Sequence, residues 1–420
     1  MAARPARILA VAYGGGHVAM LLPVLRALRR AEPAPRIDLL ALTTAARAAR
    51  EAGESPLGYH DLLHLLEPGE RAQALALGAL LRDGNTHPDI TEAETLAYLG
   101  INALELRQRL GVAQAEALWH AHGRQAFHPV AWFARVIKAL RPDLVLTTNA
   151  PRSEQAALEA AHAAGLPGVA LLDLFAPPGN AFAARRPLPE RVCVLAEPVR
   201  EQLLAAGWPP GRIAVTGNPA FDGLHDPIWA ERATQLRASL GWQSRGVVLL
   251  ATQPELRAHP DSPWPAGDDL ALAMERTLRA WAGGHEHAAL IVRHHPNHWH
   301  RMPHGADTPG VHLSRGADEP IEALLHAADV VVVQASTVGL QAAVAGVPVL
   351  SLRCAPSALG GIDYAALGVA RGVADLHALP AALDAVLRAP PPAGPWARRV
   401  AAADAVAREV QSLLPMEPRA

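Results

Sequence analysis

The residues from Val330 to Leu352 constrain the fold more than any other part of the chain. Four successive valines, Val330–Val333, suit a strand buried on both faces of a parallel sheet. Gln334, Ser336 and Thr337 then put polar groups where that strand ends. Residues 338–345 form a short helix, Gly346 stops it, and Pro348 sits where no helix could continue. Val349–Leu352 begins the next strand. Ligands of open α/β sheets bind outside the carboxyl ends of the strands, with phosphates at helix N-termini. Gln334, Ser336, Thr337 and Gln341 are therefore candidate ligand-binding residues. The same pattern also fits a plain buried unit in which Ser336 only caps its helix. A membrane span is excluded, because Gln334, Gln341, Gly346 and Pro348 break the stretch into pieces too short to cross.

A chain of 420 residues, half of them hydrophobic, suits two domains with ample cores. The net charge of −2 supplies no bulk attraction to nucleic acid or anionic lipid, so no nucleic-acid partner is expected. Lys138 is the only lysine. Cys193 and Cys354 are too few for a disulfide framework or a cysteine zinc site, and a reducing cytoplasm is the simplest setting. Residues 8–13 are too short for a signal-peptide core.

Residues 7–13 read as a first strand, followed by Gly14, Gly15, Gly16 and His17, then a helix over 20–30 and a second strand over 37–42. This is the opening of a doubly wound fold. Residues 52–136 read as a helical insertion, with clear helical spacing over 91–110 opened by Asp89 or Thr91. Its His60, His64, His87, His120, His122 and His128 do not form a zinc pattern. Strands follow at 143–147, 169–174, 191–195 and 213–215. Turns at 209–211 and 217–219 mark the expected linker. A second set of strands lies at 247–251, 289–292, 329–333 and 349–352. A proline-rich run precedes a last helix over 396–414.

Three constellations carry chemistry. Glycines at 14–16 let backbone N–H groups approach an anion or sugar, and His17 can act as a base. The loop is neither the dinucleotide fingerprint nor a Walker A loop; a tight turn capped by His17 is the alternative. Arg293 and His295 end an apolar strand, where fixed charge and N–H donors suit a pyrophosphate. His294 and His295 are neighbours and point to opposite faces, so only one of them shares a site with Ser336; His295 is preferred. Gln253, Glu255 and Arg257 follow another strand. Asn149 and Asp173 occupy the equivalent edge of the first half, where a carboxylate could serve as general base or merely cap a helix.

From residue 144 to residue 352 the chain resembles the two-domain GT-B enzymes, and within them the non-hydrolysing UDP-N-acetylglucosamine 2-epimerases. The resemblance rests on Gly165-Leu166-Pro167, Gly179-Asn180, residues 212–218 ending in Thr216-Gly217-Asn218, His295-Pro296-Asn297 and Gly346-Val347-Pro348-Val349-Leu350. Gly14–Val18 is similar instead to the glycine loop of the peptidoglycan N-acetylglucosaminyltransferases. The resemblance implies that Gly217, Asn218, Arg293, His295, Gln334, Ser336, Thr337 and Gln341 hold a nucleotide. The epimerases' catalytic set is largely missing. Their Gly-Asp after the third strand is replaced by Asn149-Ala150, and Asp173 is the only acid where they keep His-x-Glu-Ala-Gly. Residues 252–257 lack their histidine, and Gln341 stands where their ribose-binding glutamate falls.

The expected architecture is α/β, with two Rossmann-like doubly wound domains of the GT-B type facing across a cleft. The expected spans are 1–208, 209–395 and a C-terminal helix, 396–420, packing back on the first domain. The expected function is a glycosyltransferase that moves sugar from a nucleotide, UDP above all, to a surface-polysaccharide or lipid-linked acceptor. His17 and Asp173 would be catalytic. Gly14, Gly15, Gly16, Asn149, Gln253 and Glu255 would contact substrate. Neither metal nor other cofactor is expected. Peripheral membrane association and a homodimer are both compatible with this. The rivals are a divergent 2-epimerase and a nucleotide-sugar-binding protein without activity.

Overall fold

The computed structural model describes residues 4–415 apart from 178, 303–308, 317, 393, 395 and 398–400. The chain divides into a first unit that runs to Ala220 and takes in the last helix, and a second that starts at Phe221.

The first unit is built on strands β1 (Arg7–Tyr13), β2 (Arg36–Leu42), β3 (Leu144–Thr147), β4 (Gly168–Leu171), β5 (Arg191–Val194) and β6 (Ile213–Val215). They pair in the order β2-β1-β3-β4-β5-β6, all parallel. Chain order reverses at β1, which lies between β2 and β3. Crevices that hold ligands open at the carboxyl ends of strands at such a reversal. The unit extends past the boundary expected at 209 because β6 bonds to β5.

One apolar cluster joins Ile8, Ala10 and Ala12 of β1 to Leu21, Leu25 and Leu28 of the helix Gly15–Arg29, and to Val406 and Val410 of the last helix. That last helix spans Ala402–Leu413, shorter than 396–414. Trp396 lies before it, with its indole N–H donating to Leu367 O at 3.0 Å. Between β2 and β3 lie the helices Pro68–Leu81, Glu92–Leu110, Val112–His122 and Val130–Leu140. The first two touch backbone to backbone. A Cβ on Gly78 would sit 2.1 Å from Leu96 O, and one on Gly100 1.9 Å from Ala74 O, so only glycine fits at either crossing point. Thr91 caps the second of them through Glu94 N.

The second unit repeats the plan with β7 (Gly246–Ala251), β8 (Ala288–Arg293), β9 (Val311–Ser314), β10 (Val330–Val333), β11 (Val349–Leu352) and β12 (Arg371–Val373). Their order is β12-β11-β10-β7-β8-β9, again all parallel, with the reversal at β7 between β10 and β8. Val330–Val333 is buried throughout, as a run without polar residues requires in a sheet covered on both faces. Among the described residues no helix is long and apolar enough to cross a membrane.

Candidate functional site

In the first unit the reversal point carries a hydrogen-bonded chain of side chains. β1 ends at Tyr13, and Gly14 turns the backbone with φ +96°, a conformation that favours glycine. Gly14 N donates to Leu42 O at 3.1 Å and Gly15 N to Thr44 Oγ1 at 3.0 Å. Two of the three glycine N–H groups that suit an anion are thus already bonded, to the last residue of β2 and to Thr44 just beyond it. The helix that follows brings His17 beside Thr148 at the end of β3, with Nδ1 2.7 Å from Thr148 Oγ1. Thr148 donates its hydroxyl to Glu154 Oε2 at 2.6 Å. Glu154 is fully buried and also accepts from Tyr13 N at 2.7 Å and Ala150 N at 3.0 Å.

The donors decide the tautomer. Thr148 has one hydroxyl proton and gives it to Glu154, so its oxygen accepts from His17. With Glu154 ionised, a neutral His17 in this chain carries its proton on Nδ1 and its lone pair on Nε2, the arrangement of a general base oriented through a carboxylate. Burial pushes the Glu154 carboxyl up, while the nearby His17, the Thr148 hydroxyl and the two N–H donors pull it back down. Glu154 was not among the residues the sequence singled out. Nothing separates it from an ordinary acidic residue in the first turn of the helix Ser153–Ala163.

Asn149 and Asp173 extend the same edge. Asn149 Nδ2 donates to Asp173 Oδ1 at 2.9 Å, and Asp173 N donates to Asn149 Oδ1 at 3.4 Å. Asn218 Nδ2 donates to Asp173 O at 3.0 Å, and Asn218 Oδ1 accepts from Ala220 N at 2.9 Å. Asn218 and Gly217, grouped with the nucleotide set by resemblance, lie after β6 in the first unit, and a Cβ on Gly217 would come within 3.0 Å of Ala402 Cβ.

In the second unit a cavity of about 880 Å³ opens at the ends of β7 and β10. Gln253, Glu255, Arg257, His295, Ser336 and Thr337 line it, with His259, His298 and Ser357. Glu255 is buried and accepts from Ser357 N at 2.8 Å and Ser357 Oγ at 3.1 Å. Burial raises its carboxyl, against those two donors. Burial, and then His298, lowers the His295 imidazole and so disfavours its charged form. His294 turns the other way, into the core. Its Nδ1 lies 3.2 Å from Thr252 Oγ1 and its Nε2 3.4 Å from Glu275 Oε2.

Other members of the expected nucleotide set are engaged elsewhere. Gln334 is buried, donates to Gln253 O at 2.7 Å and accepts from Gln253 N at 3.2 Å, strapping β10 to β7. Arg293 points its Nη1 at Ser314 Oγ and Glu319 O, both at 2.9 Å, away from the residues lining the cavity. Gln341 sits half-buried along the helix Thr337–Ala345 and is not among the lining residues. Ser336 caps that helix through Val338 N at 3.3 Å and lines the cavity as well, so capping and lining are combined in one side chain.

Two Rossmann-like units, each with polar side chains gathered at the strand ends of its reversal point, define a protein of GT-B architecture. No protein-family model matches the chain, and no curated protein matches it. Solved structures do. It is similar to the UDP-GlcNAc 2-epimerase of Neisseria meningitidis bound to UDP-GlcNAc, at 13% identity and a TM-score of 0.60, over 97% of this chain and 99% of that one. It is similar to the Methanocaldococcus jannaschii UDP-GlcNAc 2-epimerase in complex with UDP-GlcNAc and UDP, at 12% identity and a TM-score of 0.56, over 97% and 99%. It is also similar to the glycotransferase of kitacinnamycin, at 17% identity and a TM-score of 0.55, over 98% and 100%.

Proposed function

We propose that the protein is a nucleotide-sugar-dependent glycosyltransferase whose base is His17. The observation that carries this reading is the hydrogen-bonded chain His17–Thr148–Glu154, in which an ionised Glu154 sets the lone pair of a neutral His17 on Nε2. In the transfer, Nε2 takes the proton of an acceptor hydroxyl as the acceptor oxygen bonds to the anomeric carbon. The bond from that carbon to the donor's phosphate oxygen breaks, and its electron pair leaves with the nucleoside diphosphate. The imidazolium that forms is matched by the carboxylate of Glu154, reached through the Thr148 hydroxyl.

The nucleotide belongs to the second unit. Ser336 and Thr337 offer hydroxyls at a helix N-terminus, and Arg257 with His295 offers donors for the leaving phosphates. UDP is the nucleotide of choice because the structures of similar fold were solved with UDP or UDP-GlcNAc. The acceptor is a sugar hydroxyl of a surface polysaccharide or lipid-linked glycan. Asp173 stays in reserve as a second carboxylate on the same edge, fixed by Asn149.

A second reading, a UDP-sugar 2-epimerase, is favoured by the names of two of those structures. An epimerase needs no acceptor and must exchange the sugar's C2 proton with solvent. UDP-N-acetylglucosamine incubated with the protein in deuterated water separates the two. The transferase reading expects no deuterium at C2 and UDP release only when an acceptor is supplied. Deuterium at C2 without acceptor replaces it with the epimerase.

A further inference from the structure

Two arginines flank the turn that carries Thr148 and Asn149, and neither forms an ion pair among the described residues. Arg152 occupies the N-cap position of the helix Ser153–Ala163, without a side-chain capping bond, at φ +70°, a backbone conformation uncommon outside glycine. Its guanidinium lies over the Tyr13 ring, 4.3 Å from the centroid, and its Nε is buried without a hydrogen-bond partner. Arg185 is half-buried over the Phe182 ring at 5.0 Å and gives Nη1 to Ala150 O at 3.3 Å. Burial lowers its guanidinium, with Glu154 and Glu159 opposing.

Such an arrangement is costly as it stands. A guanidinium withdrawn from water is ordinarily matched by a carboxylate. Glu154, a buried carboxylate whose charge acts on Arg185, is already bonded to Thr148 Oγ1, Ala150 N and Tyr13 N. Backbone strain at a non-glycine residue persists where something else fixes it, and such residues gather at ligand sites. Here the Tyr13 ring and the helix cap hold Arg152 at the same strand end that carries His17. Planar guanidinium forks match the oxygens of a phosphate or a carboxylate.

We propose that Arg152 and Arg185 form an oxyanion-binding subsite, and that the acceptor carries a phosphate or carboxylate which docks there beside His17. This rests on the transferase reading for the word acceptor, but the subsite itself is testable without turnover. The probes are glucose 6-phosphate, glucuronate and neutral glucose at fixed ionic strength, with UDP saturating so that any phosphate site of the second unit is filled. Wild-type protein should be stabilised in thermal unfolding by glucose 6-phosphate or glucuronate and not by glucose. Which of the two acts distinguishes a phosphate from a carboxylate acceptor.

Arg152→Gln and Arg185→Gln should each weaken that binding at least tenfold. Arg152→Lys keeps the charge but loses the fork and should fall between. Binding as tight as wild type in both glutamine variants, or no stabilisation of wild type by either anion, overturns the proposal. Should the variants fail to fold, hydrogen exchange on wild type decides. Protection by the anion over residues 13–17, 148–154 and 182–186 supports the subsite, and protection confined to other segments overturns it. Failure here with no C2 exchange and acceptor-dependent UDP release would remove the subsite and leave the transferase standing.

Discussion

The carboxylate of Glu154 sits where no water reaches it, and three donors converge on it in compensation. When ionised, that carboxylate sets the tautomer of His17 two hydrogen bonds away. Replacing the acid by its amide, Glu154→Gln, brings an NH2 group among donors and removes the counter-charge of the imidazolium. Turnover should fall roughly 10²–10⁴-fold with UDP affinity unchanged. Thr148→Ala should do the same, whereas Thr148→Ser keeps the hydroxyl and most of the rate. Equal losses in the alanine and serine variants would mean that Thr148 acts by packing alone.

The raised carboxyl also has a thermodynamic sign. The folded protein holds a proton on Glu154 more tightly than the unfolded chain does, so stability drops as pH rises from the ordinary carboxylate value through the folded one. Glu154→Gln lacks this dependence. Denaturant titrations across about pH 4 to 8 should therefore show wild type losing stability relative to the variant as pH increases. The opposite slope would mean that the hydrogen bonds outweigh the burial.

At the scale of elements, the last helix shows how a distant segment completes a core. Ala402–Leu413 places Val406 and Val410 against the helix Gly15–Arg29, both fully buried. Val406→Ala should cost about 1–3 kcal/mol in denaturant unfolding, and Arg408→Ala on the exposed side under about 0.5 kcal/mol. Similar costs for the two would mean that the helix does not pack through Val406.

Most of the strands were legible because a buried parallel strand is an unbroken apolar run, as Val330–Val333 and β7 are. β9 and β12 were not: Val311–Ser314 carries His312, and Arg371–Val373 is three residues at a sheet edge. The strand ends were legible as places, less so as roles. Gln334 and Arg293 look alike in sequence as polar residues after an apolar run. Only long-range partners, Gln253 for one and Ser314 with Glu319 for the other, separate a strap from a ligand contact. Glu154 and Arg152 were invisible for the same reason, since both meet Tyr13, which comes from the end of another strand.

For the whole molecule, the division of labour proposed above assigns the nucleotide to the second unit and the base to the first, and each half of that assignment has its own signature. UDP at a hundredfold excess over its Kd stabilises whatever binds it by about 2.7 kcal/mol. In hydrogen exchange the slowing should fall on residues 252–259, 334–341 and 356–361, which carry most of the cavity lining. Within that cavity Arg257 is exposed and free to meet a diphosphate, while Arg293 is committed to Ser314 and Glu319. Arg257→Ala should therefore weaken UDP far more than uridine, because a charge-assisted contact is lost only with the phosphates. Arg293→Ala should instead lower the unfolding midpoint and leave the ratio of UDP to uridine affinity as it was. Were Arg293→Ala to change that ratio and Arg257→Ala not, the guanidinium after β8 would swing to the ligand on binding. Slowing centred on 14–17 and 148–154 would move the nucleotide to the first unit, and with it the donor, leaving His17 to act on the sugar phosphate and not on an acceptor.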